Sequence, residues 1–136
     1  MSEVSYPYHA TDGTCVYNAS NSYTAINTVS HTTVTSGSTS ALQAAIAGQV
    51  VTVTIEADKL CFQFYSSGVL DNPACGTTLD HAVAAVGYGN ENNLNYYLVR
   101  NSWGSSWGDQ GYIKIAAVEG DGICGIQMNS LFPNLK

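Results

Sequence analysis

The chain has 136 residues, enough for one domain with a core and too few for two ordinary ones. Hydrophobic residues make up 45% and charged residues 10%, a balance that argues against disorder. The net charge is −6, and four basic side chains cannot build the surface that displaces counterions from nucleic acid or holds an anionic membrane.

No apolar run approaches the length of a membrane span. The N-terminus MSEVSYPYHA is polar and has no signal-peptide core, so a targeting segment is expected either upstream of it or not at all. The first 37 residues are turn-rich, with Tyr6-Pro7-Tyr8, Asp12-Gly13 and then a long Ser/Thr/Asn stretch. They predict extended, loop-like chain with one strand at Ser30–Val34. Asn18-Ala19-Ser20 is a glycosylation sequon, which matters only in a secretory compartment.

A helix is expected from Ser40 to Ala47. Ser40 with Gln43 forms a capping-box pattern, Leu42, Ala45 and Ile46 share a face, and Gly48 supplies the stop. Val51-Thr52-Val53-Thr54-Ile55 alternates as a strand with its aliphatic residues facing a core. The segment KLCFQFYS (residues 59–66) reads as a helical turn ending at Gly68. His81–Tyr88 is a near-continuous apolar run, Asn90–Asn95 a turn, and Tyr96–Arg100 the returning strand of an antiparallel hairpin. Gly111–Ala116 adds one more strand. The fold class expected is α+β, a twisted antiparallel sheet or partial barrel with short helices.

Four cysteines stand at 15, 61, 75 and 124. No CxxC pair is present, which argues against a zinc ribbon, and no metal or cofactor is expected. Two bridges in any of three pairings are open at this point. Of the three histidines, His9 and His31 lie in polar loop sequence, whereas His81 opens a buried strand directly after Asp80. A histidine there can present its imidazole to a cleft while the strand holds its backbone. The second constellation is Asn101-Ser102-Trp103-Gly104-Ser105-Ser106-Trp107-Gly108, where two tryptophans four apart amid glycines need something to pack against.

Taken together, Ser5-Tyr6-Pro7-Tyr8, Phe62–Gly68 (FQFYSSG), Leu79–Gly89 (LDHAVAAVGYG), Tyr97–Tyr112 (YLVRNSWGSSWGDQGY) and Cys124-Gly125-Ile126 resemble the papain-like cysteine peptidases, near the cathepsin L-like group. The resemblance covers essentially the whole chain and implies the C-terminal portion of that fold: residues 1 to about 30 from the first lobe and 31–136 the second, barrel-like lobe. It implies His81 as general base and acid, Asn101 as the residue that orients the imidazole, and Trp103 and Trp107 as cover for that pair. Asp80 is expected to support the site. Thr54, Leu79, Ala82 and Asn129 would line the pocket for the side chain two residues before the cut. Cys75 and Cys124 match a family disulfide, Cys15 matches a half-cystine with its partner elsewhere, and Cys61 is extra.

The family nucleophile lies in a Cys-Gly-(Ser/Ala)-Cys-(Trp/Tyr) run, and none occurs in these residues. Cys61 is not expected to replace it, since no helix N-terminus or basic neighbour is evident to activate a thiol. The implied protein is therefore part of a cysteine endopeptidase acting on peptides or proteins, inactive alone and completed by an N-terminal half. A lysosomal, vacuolar or extracellular location goes with the resemblance. The alternative is a truncated, non-catalytic relative that binds partners or associates with itself through an uncovered lobe face.

Overall fold

The computed structural model describes residues 2–22 and 28–135. Seven strands form one sheet: β1 (Thr28–Thr33), β2 (Val51–Ile55), β3 (Val69–Leu70), β4 (His81–Glu91), β5 (Leu94–Arg100), β6 (Tyr112–Ala116) and β7 (Ser130–Leu135), in the order β1-β7-β2-β4-β5-β6-β3. Two α-helices, α1 (Thr39–Gly48) and α2 (Leu60–Gln63), and short 3-10 turns complete the described residues. The α+β class is as expected, but the sheet is open, and one of its pairings, β3 with β6, is parallel. The first core residue is Val34, immediately after β1, whose residues 30–33 are exposed; residues 2–22 contribute nothing to the core.

Strand β2 follows its alternation: Val51, Val53 and Ile55 are fully buried, while Thr52 is exposed and Thr54 half-buried. The core they enter is completed by Leu42 and Ile46 of α1, Val83 and Ala85 of β4, Tyr97 and Val99 of β5, and Ile113 and Ile115 of β6.

The start of α1 differs from the sequence expectation. Ser38, not Ser40, is the N-cap: its Oγ accepts from Ala41 N–H at 3.2 Å, and no capping box forms. A carboxylate from a distant segment decides this, because Thr39 N–H donates to Glu119 Oε2 at 3.3 Å. That contact satisfies a first-turn donor and places negative charge at the positive end of the helix.

Strands β3 and β7 were not legible. The first is two residues long and shows no period. The second contains Pro133, which usually argues against a strand. Pro133 is tolerated because β7 pairs with β2 only at Ser130 and Leu131, so further along it has β1 alone as a neighbour, with His31 opposite the proline. The β4–β5 turn is tighter than the six-residue signal implied. Only Asn92 and Asn93 leave the strands, with φ of 52° and 65°, the left-handed pair that joins twisted antiparallel strands and that asparagine tolerates.

Cys75 and Cys124 are bonded to each other, with Cα atoms 4.8 Å apart and both side chains buried. The bridge joins two 3-10 turns, Pro73–Cys75 and Ile123–Gly125, around the end of β2. There Glu56 is only 3% exposed. Its carboxylate is paired with Lys59 Nζ at 2.7 Å and accepts from Thr78 N–H at 2.5 Å, while its own N–H donates to Cys124 O at 2.9 Å. Gly76, at φ +78°, closes over that carboxylate in space that a side chain would need. The Lys59 hydrogen bond, helped by Thr78 N–H and opposed by burial, holds the Glu56 carboxyl below its usual range, and the same pairing raises Lys59 to about 12.

Two outcomes follow for stability. Replacing both Cys75 and Cys124 by alanine removes a link across 49 residues and is expected to lower urea-unfolding stability by roughly 4 kcal/mol on the chain-entropy account. Glu56, with its folded pKa depressed, contributes stability that is present above the carboxyl's unfolded value of 4.5 and is lost as pH falls through the folded one. Acid unfolding monitored below that value is expected to be less steep in Glu56→Gln, alongside a lower stability at neutral pH.

Candidate active site

His81 is the first residue of β4, opposite Ile55 at the end of β2. Asp80 anchors this point on both sides: its N–H donates to Ile55 O at 3.0 Å, and its carboxylate accepts from Ala57 N–H at 2.7 Å. The acid is thus engaged with the backbone beyond β2 and fixes where the histidine's main chain lies. From there the imidazole Nε2 sits 2.9 Å from Oδ1 of Asn101, the residue that follows β5.

Asn101 is itself held on both sides of its side chain. Its N–H donates to Gly111 O at 2.9 Å, and its Oδ1 accepts from Ser102 N–H at 2.7 Å. The second contact settles the chemistry of the first. A backbone N–H can only donate, so the amide atom facing Ser102 must be the oxygen. That oxygen has no proton to give, so the Nε2 that meets it must carry one. A neutral His81 is therefore the Nε2–H tautomer, and Nδ1 is left with its lone pair for other chemistry. The orientation strands Asn101 Nδ2, which is buried without a partner among the described residues. Turning the amide over would place an NH₂ against Ser102 N–H, two donors face to face, while leaving an oxygen in the unpartnered position.

The loop after Asn101 brings aromatic rings to this pair. Gly111 N–H donates to Trp107 O at 2.8 Å, and Asp109 N–H to Tyr112 O at 2.9 Å, which folds the loop on itself. Gly108 permits the turn: φ is +58°, and a Cβ there would lie 2.6 Å from Tyr112 O. Trp103 lies over the imidazole, with ring centroids 5.3 Å apart and planes 30° apart. Trp107 meets Trp103 edge-on at 5.4 Å and donates from Nε1 to Gln63 O at 2.9 Å.

The residue beneath both tryptophans is Phe62 of α2, wholly buried, at 5.4 Å from Trp103 and 5.0 Å from Trp107. Sequence reasoning required something to pack against the tryptophans but did not assign it. The available signal was the aromatic spacing of Phe62 and Tyr65, whose rings flank Trp107.

The sequence profile of the papain family cysteine proteases matches residues 1–134. The chain belongs to this family. It is 48% identical over 136 residues to "Probable cysteine protease RD21B" of Arabidopsis thaliana, covering 98% of this chain and 29% of that protein. It is 46% identical to "Digestive cysteine proteinase 2" of Homarus americanus, over 96% of this chain and 40% of that one. The solved structure of the bromelain protease from Ananas comosus in complex with the E64 inhibitor superposes with a TM-score of 0.85 at 40% identity, spanning 99% of this chain and 62% of the bromelain chain. The present chain thus spans less than half the length of these curated relatives. Its sheet and helices correspond to the C-terminal lobe of the papain fold.

Of the other residues singled out in this papain-family chain, Thr54, Ala82 and Asn129 come together. Thr54 and Ala82 are opposite one another on β2 and β4, and Thr54 donates from both N and Oγ1 to Asn129 O, at 3.1 Å each. Leu79 packs over Gly125 beside Met128. Cys61 differs from expectation in its setting. It lies in the first turn of α2 with Lys59 as the N-cap residue, so a helix N-terminus and a basic neighbour are both present. Lys59 is already committed to Glu56 and Asp58, α2 is only four residues long, and the thiol is partly buried against the core. Cys15 is exposed and unbonded.

The tautomer argument has a direct readout. Long-range ¹⁵N correlation spectra of neutral His81 are expected to show Nε2 protonated and Nδ1 bare. Asn101→Ala should abolish that preference while leaving the backbone spectrum of β4 in place. An Nδ1–H tautomer in the unaltered chain would contradict the geometry.

Proposed function

We propose that this chain supplies the acid–base side of a papain-like cysteine endopeptidase. His81 is the general base and acid, and Asn101 is the positioning residue that holds its imidazole. The observation that carries this reading is the 2.9 Å contact of His81 Nε2 with Asn101 Oδ1, in an orientation that leaves Nδ1 for a thiol. In that mechanism Nδ1 takes the thiol proton, and the thiolate attacks the scissile carbonyl to give a tetrahedral oxyanion. The imidazolium then returns the proton to the leaving amine, and water, deprotonated by the same nitrogen, hydrolyses the thioester. Trp103 over the ring face excludes water from the Nε2–Oδ1 contact, which strengthens it.

The nucleophile comes from a Cys-Gly-(Ser/Ala)-Cys-(Trp/Tyr) segment that these residues do not contain. On this reading the 136 residues alone do not cleave peptides, since the thioacyl intermediate cannot form and the oxyanion donors are not among them. Thr54, Leu79, Ala82 and Asn129 form the wall that receives the side chain two residues before the cut, and its small and aliphatic members favour an apolar one. The buried disulfide supports an oxidising, vacuolar, lysosomal or extracellular setting.

Mixing this chain with an N-terminal papain-family half that carries the cysteine motif is expected to generate thiol-dependent cleavage of a peptide with a hydrophobic residue second from the cut. His81→Ala should reduce that activity roughly 100-fold or more, the scale of lost general acid–base catalysis. Cleavage by the chain alone that vanishes in Cys61→Ser would overturn the assignment. A folded mixture that stays inactive, with the chain forming a discrete oligomer by sedimentation, would instead favour a non-catalytic, self-associating protein.

A further inference from the structure

We infer that Arg100 is the contact through which a carboxylate of the cysteine-bearing N-terminal half docks on this chain. The inference rests on the functional reading above and adds the side chain that holds the two parts together.

The charge inventory singles this residue out. Four basic side chains stand against ten acidic ones. Lys59 is paired with Glu56 and Asp58, and Lys114 with Glu91. Lys136 lies outside the described residues. Arg100 is exposed and forms no ion pair among the described residues, although acids are in excess. An exposed arginine is ordinarily satisfied by water, so the weight rests on where the sheet puts this one.

Arg100 ends β5, opposite Ala84 of β4 and Tyr112 of β6, and Ala84 is opposite Thr52 of β2. Paired residues of a sheet share a face, as do residues two apart on one strand. This row therefore lies on the face of Thr54 and Ala82, one rung along from them and away from the buried Val53, Val83 and Val99. Its members beside the arginine are short. Thr52, Ala82 and Ala84, with Arg100 and Asn101, line a groove of about 380 Å³ that a group from outside the chain can enter.

The chemistry brings the other half to this place. Asn101, which meets His81 through Oδ1, directly follows Arg100. A thiol that gives its proton to the imidazole comes within about 3 Å of it, so the segment carrying that thiol lies against the residues that border the pair. A guanidinium cannot shed its charge, and covering it without an anion is costly. A carboxylate on the arriving half removes that cost, and the fork of donors can hold both of its oxygens. Such a pair fixes the orientation of docking as well as its strength.

The test mixes this chain with a fluorescently labelled N-terminal papain-family half and reads association by anisotropy, separately from cleavage. Arg100→Gln is expected to weaken association roughly 10-fold at low salt. The difference from the unaltered chain should shrink as salt screens the pair. Arg100→Lys keeps the charge and supplies an amine, so a carbodiimide is expected to join its Nζ to one Asp or Glu of the half, found by peptide mapping. Reversing that acid to lysine should restore association to Arg100→Glu. Equal association of Arg100→Gln and the unaltered chain at low salt would overturn the inference and leave the functional reading standing. Unchanged association with weaker cleavage of acidic peptides alone would assign Arg100 to substrate and overturn it too. No association of the unaltered chain with the half would sink both.

Discussion

One oxygen atom organises the candidate site. Asn101 Oδ1 accepts from Ser102 N–H at 2.7 Å and from His81 Nε2 at 2.9 Å. Because the first partner can never be anything but a donor, the amide has one permissible orientation, and the imidazole inherits one tautomer from it. The unpartnered Nδ2 is the expense of that arrangement: a buried donor without an acceptor costs on the order of 1–3 kcal/mol. A structure that retains such a group at its centre is built around the geometry of the remaining bonds rather than around stability alone.

Everything near that oxygen restrains the two groups it joins. On the histidine side, Asp80 binds the main chain at both Ile55 and Ala57, so β4 begins at a defined place relative to β2. On the asparagine side, Gly111 O holds the main chain of Asn101, and the loop between them folds back through Trp107 and Asp109. The aromatic rings close the arrangement from above and below. Phe62 is buried at 0% exposure and supports both tryptophans, so α2 acts on the imidazole through the Trp103 ring that lies over it.

A second buried polar centre sits a short way along the same chain. Glu56 directly follows β2, and its carboxylate is satisfied by Lys59 and Thr78 N–H beside the Cys75–Cys124 bridge. The segment from Ile55 to Asp80 thus begins and ends in hydrogen bonds made at the end of β2. The disulfide and the ion pair hold the loops that deliver Asp80 and His81, which ties the thermodynamics of the lobe to the placement of the imidazole. A third polar centre, Gln127, accepts from Tyr97 Oη and Thr39 Oγ1 and donates to Val118 and Gly120 carbonyls, joining α1 to the sheet on the far side of the core.

The sequence alone determined what periodicity and local chemistry encode. Strand β2 announced itself by alternation, β4 by its apolar run, and the β4–β5 hairpin by its asparagines. His81, Asn101 and the two tryptophans were recognisable because their neighbours form a specific pattern that leaves few other readings. Tertiary structure decided what depends on residues distant along the chain. Glu119, eighty residues away, moved the start of α1 from Ser40 to the Ser38 cap. Strand β7 exists because β1 pairs with it past a proline that local preference would exclude. The role of Phe62 and the tautomer of His81 were equally out of reach. The first requires rings from two separate segments to meet, and the second follows from a hydrogen bond whose direction only the folded backbone at Ser102 imposes.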